Sequence, residues 1–407
     1  MPKQITIDQI AVPADIKLVN RMKILEHLLS GEKCTAQDIR ATTGISKPTI
    51  MRTLQYFCNE GLVESAGFGP SSKVGGKKPE YFAFSDKRKI LCIALWPTSV
   101  TFALSNLVGD VYALEEHPHI AEERLEDVFA SLERFALPYL ERQGVALSDL
   151  YGVGVSTSGI VDYKANLLFY NAKAPSWGRN IYIEEYLRPI FGEAPQYILE
   201  NAGKACGRAI LLDAPVLTKR RVLSLFCTWG LSACLIENGH VLSGKDSLIG
   251  EIGHMIVENP APGKCICGKS GCLEHSVSLA RIADMLGPDS PLVNGDSPLT
   301  FQTLFEASAA EDLAARKVVA HLASRFAVAL HNLALVYNPD VVIFQGDFAL
   351  ADSYFDDCLK RDLAQFRYFP EEGVFEMHYD KRDLSWLAAR GNAAMLRKHY
   401  FTSLQFD

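Results

Sequence analysis

Long hydrophobic runs are missing from this chain. No stretch of its 407 residues approaches the ~18 consecutive apolar residues that cross a bilayer. The opening, MPKQITIDQI, has no apolar centre of the kind a secretory leader needs. A cytoplasmic chain with no membrane partner is the expectation. An excess of positive charge is missing too: the formal net charge is −7, which argues against a uniformly basic coat for nucleic acid. Cysteine is too sparse for a disulfide scaffold. Seven of the ten are scattered (Cys34, Cys58, Cys92, Cys206, Cys227, Cys234 and Cys358) and read as buried thiols of a reducing compartment. At 48% hydrophobic residues the chain is also too apolar for disorder, and its length implies two or three packed domains.

The charge that is present is unevenly spread. Residues 1–90 carry 14 Lys and Arg against 9 Asp and Glu, whereas the remainder carries 27 against 39. A basic head on an acidic body is the asymmetry expected when one end meets phosphates.

Within the head, residues 17–30 place Leu18, Met22, Leu25 and Leu29 at helical spacing before Gly31. Thr35 and Asp38 predict a capping box for a short second helix ending at Gly44. Ser46 caps a third helix to about Asn59, with Ile50, Leu54 and Phe57 inward and Lys47, Thr49, Arg52, Thr53 and Tyr56 outward. Two strands follow, Leu62–Ala66 and Tyr81–Phe84, joined by a glycine-rich stretch carrying Lys73, Lys77 and Lys78. That layout is a winged helix-turn-helix, whose last helix enters the major groove. Thr49, Arg52 and Thr53 are the candidates for base edges; Lys47, Tyr56 and the three wing lysines are the candidates for phosphates.

From Lys89 the pattern changes to short strands. Ile90–Leu95, Val100–Ser105 and Val111–Glu115 are echoed about 130 residues later by Val222–Cys227, Leu231–Ile236 and Val241–Leu242, with Asn238-Gly239 as a hairpin turn. Helical segments follow each set, at 122–143 and 310–337. The second is apolar on more than one face (Val318, Leu322, Phe326, Leu330, Leu333), as a core helix is. The body is therefore expected to be α/β, with two lobes of related architecture.

One cluster stands apart. His254, Cys265, Cys267 and Cys272 fall within nineteen positions, separated by ten, one and four residues, with Gly263, Gly268 and Gly271 to let the loop close. Three thiolates and an imidazole make a closed tetrahedral site for a structural Zn2+. Four protein ligands leave no position for a catalytic water.

Gly250-Glu251-Ile252-Gly253-His254, followed by Cys265-Ile-Cys-Gly-Lys-Ser-Gly-Cys272-Leu-Glu274, resembles the signature of the ROK family of repressors and sugar kinases. The winged head with Gly75-Gly76-Lys77-Lys78-Pro79 resembles its repressor branch, and Asn338-Pro339-Asp340 before a strand ending at Gly346 extends the likeness over most of the chain. The resemblance implies a two-lobed, actin-like sugar-kinase fold with a cleft between the lobes. The corresponding division is residues 1–87 for the winged head, 88–199 for the first lobe (completed by a C-terminal helix at 386–407) and 200–385 for the second, with the zinc loop. It further implies that Gly159, Asn171, Asn201, Glu251, His254 and Glu274 face a sugar, His254 with one ring nitrogen on zinc and the other on a hydroxyl. On the residues alone, Glu251 and Glu274 could instead only buttress the metal loop.

The chain departs from the kinases of that family where phosphoryl transfer needs it most. The family's Asp-x-Gly-Gly-Thr phosphate loop aligns with Ala94-Leu95-Trp96-Pro97-Thr98, and its Gly-Thr-Gly loop with Cys227-Thr228-Trp229. Its Asn-Asp, whose carboxylate is the catalytic base, aligns with Asn201-Ala202. No catalytic residue is therefore expected. The resulting reading is a sugar-responsive transcriptional regulator, a repressor by preference, acting on operator DNA with a sugar or sugar phosphate as effector. As a homodimer or homotetramer it would set recognition helices ~34 Å apart, or a multiple of that. The alternatives are a bifunctional sugar kinase with a DNA-binding head and a regulator controlled by a protein partner.

Overall fold

The structure is a computed structural model that describes residues 13–29, 33–70, 78–118, 124–295, 297–366 and 375–403. Its N-terminal head has helices Pro13–Leu28, Ala36–Thr43 and Lys47–Asn59, then strands Val63–Phe68 and Glu80–Phe84, with the two-residue strand Cys34–Thr35 added to the hairpin's edge. The predicted caps are in place. Thr35 Oγ1 accepts from the amides of Gln37 and Asp38, Asp38 Oδ2 accepts from Thr35 N at 2.8 Å, and Ser46 caps the third helix. Ile24, Leu25, Ile39, Ile50, Leu54 and Phe57 form the centre of the head.

The outward face of the third helix differs from the one read in the sequence. Lys47 and Arg52 are exposed, but Thr53 is buried at 7% exposure. At 100° per residue, position 53 lies three after Ile50 and four before Phe57, on the core side. Met51 and Gln55, one turn apart from each other and in line with Lys47, hold the exposed positions instead. Tyr56 is half-buried beneath the Arg21 guanidinium, 3.8 Å from the ring centroid. Lys78 is exposed at the base of the wing, while Lys73 and Lys77 lie outside the described residues.

The body is built on two five-stranded sheets with one topology, with a small antiparallel sheet of Ile160–Asp162, Leu167–Tyr170 and Arg179–Tyr182 beside them. In the first lobe the spatial order is 196–201, 150–157, 89–95, 99–106, 111–118; the first three strands are parallel and the last two antiparallel. In the second the order is 376–380, 341–346, 222–227, 231–237, 240–241, with the same parallel and antiparallel pairs. The duplicated hairpins of the sequence are thus the antiparallel ends of duplicated sheets. This is the α/β, actin-like architecture that the family resemblance implies.

Among the described residues one helix, Leu313–Val336, is long and apolar enough to cross a membrane by length and composition. It lies in the second lobe, where Val318, Leu322, Phe326, Leu330 and Leu333 are buried against Phe344, Phe348 and Phe355. The C-terminal helix, Leu384–Ser403, crosses back onto the first lobe's sheet. There Asn392 Nδ2 donates to Gly154 O at 3.1 Å, and Gly391 lies so close to Ala205 that an added Cβ would meet its carbonyl at 2.0 Å. The head does not pack separately: Ile90, Cys92, Leu396 and Tyr400 of the body share its apolar cluster.

Candidate ligand cleft and metal cluster

Parallel strands of α/β sheets open ligand sites at their carboxyl ends, because the connecting loops splay apart there. Strand Leu150–Thr157 ends next to Ser158 and Gly159, and strand Gln196–Asn201 ends on Asn201. Facing them from the second lobe are Trp229, Glu251, His254 and Glu274. A cavity of about 80 Å3 lies between, and Gly159, Asn171, Asn201, Glu251, His254 and Glu274 all line it.

Several polar groups of the cavity are held in place by hydrogen bonds. Asn201 Nδ2 donates to Gly159 O at 2.8 Å, and its Oδ1 caps helix Ala202–Asp213 at Lys204 N. Asn171 Oδ1 accepts from Ser158 Oγ and Lys173 N. Gly159 has φ +106°, and a Cβ there would sit 2.4 Å from Tyr170 O, so only glycine fits the turn. Glu274 Oε1 pairs with Lys173 Nζ at 2.9 Å, and its Oε2 accepts from Leu231 N at 3.0 Å. Burial raises the Glu251 carboxyl above the usual carboxylate range; nearby Lys204 works against that rise and Glu274 adds to it. Lys204 is itself buried, its Nζ donating to Ser247 O at 3.0 Å in the loop that leads to Glu251. Neither lysine was read as a site residue. In sequence each is a lone Lys, Lys173 between two alanines and Lys204 after Gly203, and only the fold brings Lys173 to the cavity and Lys204 near Glu251.

The positions aligned with the phosphate loops are filled by rings. Trp96 and Phe226 stack with centroids 6.3 Å apart, and Trp229 meets Trp96 edge-on at 6.0 Å. Trp96 Nε1 donates to Ser385 Oγ and Thr101 Oγ1, fixing the indole in place. Glu200, the carboxylate next to Asn201, is fully buried and bound to Arg208, away from the cavity.

His254, Cys265, Cys267 and Cys272 are brought together, their ligand atoms all within 4.8 Å of one another. Cys267 Sγ lies 3.5 Å from Cys272 Sγ, and Cys265 Sγ lies 3.6 Å from His254 Nδ1. A tetrahedron with metal–sulfur bonds of ~2.3 Å has edges of roughly 3.8 Å, so the donor set fits a metal ion. The loop is stitched shut by Val257 N donating to Gly271 O and Leu273 N donating to Met255 O. At Gly271, φ +79°, a Cβ would lie 1.9 Å from Glu258 O.

Comparison with known proteins agrees with this geometry. Residues 90–398 match the ROK family and residues 18–68 the MarR family of winged helices. The xylose repressor of Bacillus spizizenii is 21% identical over 359 residues, covering 88% of this chain and 89% of the repressor. The DNA-binding transcriptional dual regulator NagC of Escherichia coli is 26% identical over 273 residues, 62% of either chain. The crystal structure of a ROK family transcriptional regulator, a homologue of the E. coli MLC protein, superposes with a TM-score of 0.75 at 16% identity, covering 95% of this chain and 98% of that one. A DNA-binding head on a duplicated α/β body with a cleft between its lobes is the class defined here. The chain belongs to the ROK family, with a MarR-like winged helix at its N-terminal end.

Proposed function

We propose that this chain is a sugar-responsive transcriptional repressor whose cleft binds its effector without phosphorylating it. One combination carries the reading. Six residues suited to sugar hydroxyls line a single cavity, Trp96 and Trp229 occupy the phosphate-loop positions beside it, and the same chain bears a winged helix with Lys47, Arg52 and Lys78 exposed. Paired amides and carboxylates suit hydroxyls, each of which both donates and accepts.

Asn171, Asn201, Glu251 and Glu274 hold the sugar's rim in this reading. Ala202 offers no proton acceptor where kinases have one, and Glu200 is committed to Arg208. The chain is therefore no enzyme. His254, Cys265, Cys267 and Cys272 would hold Zn2+, which has no redox chemistry and would serve to pin the loop. His254 Nδ1 faces the thiols, which leaves Nε2 for a hydroxyl and joins the ligand cavity to the loop.

On the DNA, Arg52 reads base edges, with Thr49 beside it, and Lys47 and Lys78 meet phosphates. The working division is a head at 1–87, a first lobe at 88–199 completed by the C-terminal helix, and a second lobe at 200–385. A cytoplasmic homodimer or homotetramer on a two-fold operator completes the proposal.

Fluorescence anisotropy on DNA from upstream of the chain's own gene, repeated across sugars and sugar phosphates, is the test. One sugar is expected to shift the operator Kd. Tight DNA binding that no sugar moves would remove the sensing half of the reading.

A further inference from the structure

The cleft does not end at the polar cavity. A second space of about 290 Å3 adjoins it. Five residues line both spaces: Lys173, Trp229, Leu231, Ile266 and Glu274. The two differ in character. The first is walled by Asn171, Asn201, Glu251 and His254. The second has Val277, Leu279, Phe301 and Phe348 in its wall, with Thr228, His275, Ser278 and the cluster's Cys265 as its other polar groups.

The junction carries the argument. Trp229 is 39% exposed and Ile266 is 55% exposed, an unusual placement for two large apolar side chains at the mouth of a polar cavity. Between them Glu274 is fixed from both sides, by Lys173 Nζ and by Leu231 N. Lys173 spends one of three ammonium donors on that carboxylate, so two remain for a ligand. A lone monosaccharide in the polar cavity would leave this apolar shelf and the larger space unused. A pyranose has a rim of hydroxyls and an apolar C–H face. An indole with a half-open face, an aliphatic neighbour and an ammonium at the edge can receive one ring face-on and one hydroxyl.

We propose that the effector is a disaccharide. One ring sits among Asn171, Asn201, Glu251 and His254, and the second ring lies against Trp229 and Ile266 with a hydroxyl on Lys173. This rests on the reading of the cleft as a sugar site. It also gives the bulk at position 229 a use: the indole that occupies a phosphate-loop position forms the floor of the second ring's seat.

Titration calorimetry on the full-length protein tests the idea, with monosaccharides, their phosphates, disaccharides built from them, and 4-nitrophenyl glycosides. A disaccharide is expected to bind at least about tenfold more tightly than either of its component sugars. Trp229→Ala should abolish that advantage, bringing the disaccharide Kd to that of its component sugar in the same variant, and Trp229→Phe should keep part of it. Thermal melts establish that both variants are folded. The proposal is overturned if a monosaccharide or its phosphate binds as tightly as every disaccharide, if only the nitrophenyl glycosides gain, or if Trp229→Ala weakens both ligand sizes equally. Complete absence of heat and of any operator response with every sugar would instead sink the sugar-sensing function itself.

Discussion

Arg208 closes on Glu200 with Nε and NH2 at 2.9 and 2.8 Å from the same carboxylate oxygen, while the other oxygen accepts from Asn201 N. Glu200 has no exposed surface. The pair thus anchors the backbone of Asn201 at the cavity from behind. Arg208 also lines a space of about 420 Å3 where Met22, Glu26 and Leu29 of the head face Leu211, Leu212 and Met395 of the body. One helix, Ala202–Asp213, therefore begins at the ligand cavity and passes the head.

Removing one partner of a buried pair leaves an uncompensated charge, at a cost of about 3–5 kcal/mol. Arg208→Ala is expected to lower the melting temperature by several degrees. The double variant Glu200→Gln/Arg208→Met should recover most of the loss, as read by chemical denaturation. Equal melting of the single and double variants would show that the charge pair is not what holds this segment.

In the proposed reading phosphoryl transfer is blocked twice, by chemistry at Ala202 and by bulk at Trp96 and Trp229. A coupled ATPase assay with any hexose should stay at background for the native chain. Ala202→Asp should stay there too, because restoring the base leaves the rings in the phosphate path. Turnover in that single variant would show that bulk is no obstacle.

Glu251 provides a pH signature. Its folded pKa is raised, first by burial, so the folded state holds this proton more tightly than the unfolded chain does. The group's contribution to stability is full below the unfolded value, about 4.3, and is lost as pH rises through the folded value. In Glu251→Gln that slope should disappear. The free variant is expected to be at least as stable as the native chain at neutral pH, with sugar affinity about tenfold weaker. Melting curves from about pH 4 to pH 7, with calorimetric titrations, measure both.

Metal release should unfasten the loop from 254 to 272. One equivalent of zinc is expected by elemental analysis, and chelation or Cys272→Ser should lower the melting temperature by about 5–10 °C. Sugar binding should weaken in parallel, since His254 both lines the cavity and belongs to the cluster. Undiminished sugar affinity after complete chelation would separate the loop from the cavity.

On the DNA side, Arg52→Ala is expected to weaken operator binding by about tenfold and to alter base preference. Thr53→Val should leave DNA affinity unchanged, because Thr53 faces the core. Lys78→Ala should weaken all sequences alike and make the salt dependence shallower by about one unit. Anisotropy at several salt concentrations distinguishes the three.

Much of this molecule was legible in the amino-acid order because its signals are local. Caps at Thr35 and Ser46, the repeated strand–turn–strand units and the His254–Cys272 spacing each depend on residues within about twenty positions, and each stands where it was read. The error at Thr53 arose from judging side chains by polarity, when a helix sorts them by angle.

What the sequence by itself determined was the inventory: a basic winged head, duplicated sheets, a metal-ligand set, and bulky or inert residues at the positions of kinase chemistry. What only the tertiary structure decided was which distant residues share a space. Lys173 and Glu274 are 101 positions apart and form one ion pair, Trp96 meets Phe226 and Trp229 across the lobes, and the C-terminal helix returns to pack on the first sheet. Such contacts leave no periodicity in the chain, because loop closure over a hundred residues is set by the packing of whole sheets and helices and not by the residues that finally touch.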